Sequence, residues 1–237
     1  MFKKLISIAA LIAASVSSQA AIIQVDFTGT ITSEYNNGSY NNYQDYDFGY
    51  DIGDTISDTF YIDTSIVSDR DSRSTIGNYY ANGLLANDFI SSNYVNIPNA
   101  TQSYDYVFIE DDYYSTRDRI LIRDYDRNYY SSYNNTQYLL EYLQVDFYSY
   151  GVDFISGDNL EQTFTINDFT NYNSSQGFIY HNEYAYINGQ YQQQNRVYDY
   201  MQFNLTSITY NAVPAPAMLL LFSLSLLMIS ARKRLFK

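Results

Sequence analysis

The chain holds a single histidine, His181, and no cysteine. A Cys–His nucleophile pair is therefore ruled out, and the glycine-flanked serine elbow, H-E-x-x-H, P-loop and dinucleotide-binding patterns are absent from the sequence. His181 lies in an alternating, tyrosine-rich stretch, where a hydrogen-bonded or solvent-facing imidazole is the expectation. Two carboxylates would suffice for glycoside cleavage, and Glu110, Glu141, Glu161 and Glu183 are the candidates. With 26 acidic residues, some pair at a suitable spacing arises by chance, so no catalytic residue is assigned.

Acidic spacing also raises metal binding. Asp124, Asp126 and Asn128 alternate like the start of a calcium loop, but Tyr129 stands where that loop needs glycine and Asn135 where it needs glutamate. Asp45, Asp47, Asp51 and Asp54 could instead converge with Glu110, Asp111 and Asp112. The default is a solvated acidic surface, with no metal residue assigned; Ca²⁺ is the one cofactor the acids suggest.

Tyrosine is the third chemistry. The chain has 29 tyrosines and no tryptophan. Tyr142, Tyr148, Tyr150, Tyr180, Tyr184, Tyr186, Tyr198 and Tyr200 fall on the polar phase of their segments. Flat rings beside amides and carboxylates suit sugars, so polysaccharide contact is an expectation. The plain alternative is that tyrosine has high strand propensity and tolerates half-burial.

The elements that would position these residues read as strands. Ile23, Val25, Phe27 and Ile31 alternate with polar residues, as do Ile56, Phe60 and Ile62. Leu139, Leu143, Val145 and Phe147 share one face, and Val197, Met201, Phe203 and Leu205 another. Phe164 and Ile166, Tyr104 to Ile109, Arg119 to Arg123 and Phe178 to Ile187 are shorter candidates. Asn37-Gly38, Asn82-Gly83 and Asn188-Gly189 are hairpin signals, and Gly157 to Asn159 a turn. Leu84 to Ile90 holds at most one short helical turn. Eight to ten strands with one wet face each predict an all-β, antiparallel β-sandwich of jelly-roll type, in which the first and last strands pair.

The two ends carry addresses. Lys3 and Lys4, an apolar run from Leu5 to Val16 and small residues at Ser18 to Ala20 predict a signal peptide over residues 1–20, cut between Ala20 and Ala21. A domain over 21–211 follows, then a C-terminal signal over 212–237. In it, Val213-Pro214-Ala215-Pro216-Ala217 precedes an apolar run, Met218 to Ala231, and a basic cluster, Arg232-Lys233-Arg234. As a helix, 218–231 spans about 21 Å. It is apolar all round, which no surface-packed core helix is, and it predicts a transient membrane helix with its basic end in the cytoplasm.

This tail resembles the PEP-CTERM group of bacterial sorting signals, in the variant reading V-P-x-P-A. Val213, Pro214, Pro216 and Ala217 carry the match, with the apolar helix and Arg232, Lys233 and Arg234 behind it. Ala215 stands where the parent motif has its glutamate. The resemblance implies a Gram-negative host, an exosortase-type processing enzyme as partner, and association with exopolysaccharide or biofilm matrix. The stretch from Phe27 to Ser65, with Gly53-Asp54 and a strand ending Tyr61 to Asp63, is similar to the first hairpin of uncharacterised β-sandwich proteins that bear this tail.

Without the two ends, seven arginines face 26 acids, a net charge of −19. Phosphates would be repelled, which excludes nucleic acid as a partner. The reading is thus an exported, non-enzymatic protein of the cell surface or extracellular matrix. The alternative is a carbohydrate-binding or glycoside-cleaving secreted protein.

Overall fold

The computed structural model describes residues 22–36, 46–71, 73–81, 88–97, 100–113, 116–132, 135–188, 190–191 and 197–213. Twelve strands form: β1 (Ile22–Asn36), β2 (Thr55–Asp63), β3 (Ile76–Tyr80), β4 (Ile90–Ser91), β5 (Gln102–Ser103), β6 (Tyr106–Tyr113), β7 (Arg117–Ser132), β8 (Asn135–Ser149), β9 (Thr163–Ile166), β10 (Ser174–Ile187), β11 (Gln190–Tyr191) and β12 (Val197–Val213). No helix occurs among the described residues.

The expected class, all-β and antiparallel, is the one adopted. The expected two-sheet sandwich takes a different form. Hydrogen bonding follows one path, β3-β6-β7-β8-β10-β12-β1-β2-β4, with β5, β9 and β11 attached to its side. This single sheet curls strongly into a half-barrel. The ends of the domain meet as expected, since Ile22 pairs with Val213 and Ile23 with Ala212.

The period of two sets the inner face. Ile23, Val25, Phe27, Phe60, Ile62, Ile120, Ile122, Leu143, Val145, Phe147, Ile179 and Phe203 are all buried there. Each such burial contributes about 1.5–3 kcal/mol. Phe203 lies over two glycines on its neighbouring strands. A Cβ on Gly177 would sit 2.0 Å from the ring, and one on Gly29 2.5 Å away. Their missing side chains make room for an aromatic row, with Phe203 stacked on Phe27 at 5.4 Å and Phe27 on Phe60 at 5.5 Å.

Loops close the inner face. One carries Phe154, Ile155 and Leu160; its Leu160 carbonyl accepts a 3.0 Å bond from the hydroxyl of the fully buried Tyr210. Others bring Phe48, Phe89 and Val95. Asn188 takes the left-handed backbone (φ 52°) expected of its hairpin, and Gly157 that of its turn (φ 92°). Asn37-Gly38 and Asn82-Gly83 lie outside the described residues. The short helical turn proposed for Leu84 to Ile90 lies mostly outside them too, and its last residue opens strand β4 instead.

Candidate functional site

Along β7, β8 and β10 the inner face changes character in cross-strand steps. Ile122, Val145 and Gly177 form one apolar step. Asp124, Leu143 and Ile179 follow. Then come Asp126, Glu141 and His181, with Asp199 of β12 beside His181. Beyond them lie Asn128, Leu139 and Glu183, and last Tyr130, Gln137 and Ala185. The core thus passes through a buried polar row into an open end.

His181 is the centre of that row. Its Nδ1 lies 3.1 Å from Glu141 Oε1, and its Nε2 3.9 Å from Glu183 Oε2. The Tyr46 ring lies flat on the imidazole, centroids 3.7 Å apart and planes 11° from parallel. The Tyr46 amide donates to the Asp199 carboxylate, and the Asn96 amide to Glu141 Oε2 at 3.4 Å. Burial first, then the Glu141 charge, pushes the Tyr46 phenol up. Tyr94, half-buried beside it, is raised for the same leading reason.

Of the four glutamates singled out, Glu141 and Glu183 come together about His181. Glu110 does not join them: it is 2 % exposed and paired with Arg117 at 2.6 Å. Glu161 is exposed, and its amide donates to Asn159.

The expected acidic convergence takes other partners. Asp47 accepts from the Gly49 amide and Asp54 from the Asp51 amide, both at 2.8 Å in exposed turns. Asp111 and Asp112 meet Asp118 rather than those turns. Asp124 and Asp126 meet Asp105 and Asp88, which the spacing did not reveal. Asp45 is outside the described residues.

Next to the open end lies a groove of about 310 Å³, bounded by Tyr130, Gln137, Asn128, Leu139 and Glu183 among others. Tyr130 is 59 % exposed.

The outer face carries a tyrosine ladder. Tyr125, Tyr142, Tyr180, Tyr200 and Tyr35 are direct cross-strand partners over β7, β8, β10, β12 and β1. Tyr125 and Tyr142 stack at 5°, Tyr142 and Tyr180 at 12°, and Tyr35 and Tyr200 at 13°. A second stack joins Tyr138 to Tyr184. Within this ladder the rings stack on one another, the arrangement that cross-strand packing gives. Tyr150, 50 % exposed, is packed edge-on to Tyr148.

Of the sorting-motif residues only Val213 is described, and it closes β12. Ala20, Ala21, Pro214 to Ala217, the apolar run 218–231 and Arg232 to Arg234 lie outside the described residues. Comparison of the chain with protein-family models, with characterised proteins and with solved structures gives no match.

Proposed function

We propose that this is an exported surface or matrix protein, sorted by its PEP-CTERM-like tail, that grips polysaccharide without cleaving it. The observation that carries the binding half is the groove at the open end of β7, β8 and β10. It joins an exposed tyrosine face to two amide side chains and a carboxylate, the set that suits a sugar's C–H face and hydroxyls together. Its volume is at the lower end for a ligand site, about one to two sugar rings. The charge of −19 favours neutral or cationic glycans.

The sorting half is supported by the residue order of the tail and by its point of departure. Ile22 and Val213 are paired neighbours, so both transport segments leave the domain at one place. Residues 218–231 would form the membrane helix, with Pro214 and Pro216 keeping the motif extended outside it.

Binding to a polysaccharide panel, read with a reducing-end assay, tests the first half. Retention on a neutral or cationic glycan, no released reducing sugar, and about tenfold weaker retention for Tyr130→Ala are expected. Retention unchanged by Tyr130→Ala would reject the groove, and released sugar would favour the glycoside-cleaving alternative. Intact mass of the protein from its host tests the second half. It should lack residues 1–20 and the apolar tail, and a mature form ending at Lys237 would refute sorting.

A further inference from the structure

We propose that Asp88, Asp105, Asp124 and Asp126 form a binding site for one hard divalent cation, calcium by donor type and size. This goes beyond the glycan reading and does not depend on it.

One carboxylate oxygen from each of Asp88, Asp105 and Asp126 lies within 4.8 Å of the other two. Calcium–oxygen bonds of about 2.3–2.6 Å put ligand atoms roughly 3.3–5 Å apart across the ion, so this spacing fits. Asp105 supplies the frame. It is fully buried, with Oδ2 accepting from the Phe89 and Ile90 amides at 2.9 Å and Oδ1 from the Tyr125 amide at 3.1 Å. Asp124 and Asp126 flank Tyr125 on the inner face of β7, which puts them on either side of that contact.

A cluster of acids alone would be a surface. The second observation is unmet bonding capacity. Asp124 is 1 % exposed; Ser92 offers its carboxyl a hydroxyl, yet Oδ2 has no partner, and the charges acting on the group are those of Asp105, Asp126 and Asp88. Asp126 Oδ1 is likewise buried without a partner. No arginine or histidine among the described residues is paired with any of the four. Buried acceptors without donors are rare in folded proteins, and a cation satisfies several lone pairs at once. All donors are carboxylate oxygens, which selects calcium, magnesium or manganese over zinc or copper. The rival arrangement is a set of shared protons among the four carboxyls, with no metal.

The test is calcium titration by calorimetry of the full chain in detergent, after EDTA treatment and exchange into chelator-free buffer at pH 7.5. One equivalent of calcium bound at submillimolar Kd is expected. Asp124→Asn/Asp126→Asn should bind at least tenfold more weakly, while Asp111→Asn, at the other acidic cluster, should bind as the parent does. No stoichiometric uptake by the folded parent at millimolar calcium would overturn the proposal in favour of shared protons. So would an unchanged Kd in the Asp124/Asp126 variant.

Discussion

β7 carries two buried aspartate sites six residues apart, Asp118 and Asp124, separated by the apolar pair Ile120 and Ile122. That is about 20 Å along the strand. Asp118 spends both oxygens on backbone amides: Oδ1 accepts from Asp112, and Oδ2 from Phe154 and Ile155. Its neighbour Asp111 accepts from Gly157. Asp105 at the second site copies that pattern with three amides of its own. The two sites part company over what surrounds the frame. Beside Asp105 stand Asp124 and Asp126, each with one buried oxygen that lacks a donor. The same residue type on the same face therefore does two jobs: at Asp118 it ties a loop to the sheet, and at Asp124 it waits for a counter-charge.

The largest effect should come from the tied site. Asp118→Ala leaves the amides of Asp112, Phe154 and Ile155 without their acceptor. Hydrogen bonds to a charged acceptor contribute about 1.5–3 kcal/mol each, and the loop carrying Phe154 and Ile155 loses its tether. Urea unfolding should show a loss of at least about 3 kcal/mol. A loss below about 1 kcal/mol would break the comparison, because Asp118 would then be as dispensable as a surface acid.

The second site should respond with the opposite sign. In chelator, Asp124→Asn/Asp126→Asn removes two buried carboxyls that the acid cluster forces to hold protons or repel one another, and supplies amide donors to Asp105 and Asp88, a gain of about 1 kcal/mol. In calcium the order reverses. The parent gains about 2.7 kcal/mol at 100 times Kd and the variant does not. Melting curves with and without chelator read both arms. A variant destabilised in chelator as strongly as Asp118→Ala would mean that the second site is also a structural tether.

Much of this was legible one strand at a time. The alternation in Ile23 to Ile31, Leu139 to Phe147 and Val197 to Leu205 assigns the faces, and the pairing of first and last strands follows. The polar row was legible in principle too. Asp118, Asp124, His181 and Asp199 all sit on the apolar phase of their strands, and Asp105 keeps the phase of Val107 and Ile109 just before β6, where a charged residue needs a reason. Which of them meet was not legible, because that depends on strand neighbours far apart in the chain. Asp105 reaches Asp124 only because the segment before β6 folds back beside β7. The curl of the sheet and the stacking of the tyrosine ladder are non-local in the same way. Each tyrosine sits on its expected phase, but register alone decides that Tyr125, Tyr142 and Tyr180 face one another rather than solvent.

The smallest effect separates the sites by pH. Burial first, then the charges of Asp88 and Glu141, pushes Asp126 up to about 7. Burial also raises Asp105 and Asp124 well above the carboxylate range, with neighbouring acids adding to it. Glu141 faces Asp126 from β8, and no cation from β5, β6 or β8 is paired with it. In calcium-free protein the folded state then holds protons that the unfolded chain has already lost above about pH 4. Stability from these groups is fully present below that pH and is lost as pH rises through about 7. Asp126 keeps part of its solvent contact, so the change should be modest, a few degrees in Tm. Calcium-free protein should therefore melt higher at pH 5.5 than at pH 8. Asp124→Asn/Asp126→Asn should flatten that slope, and saturating calcium should reverse it by holding the carboxylates ionised. A calcium-free parent that melts higher at pH 8 would show that the second site's charges are already compensated within the fold, and the distinction between the two aspartate sites would fail.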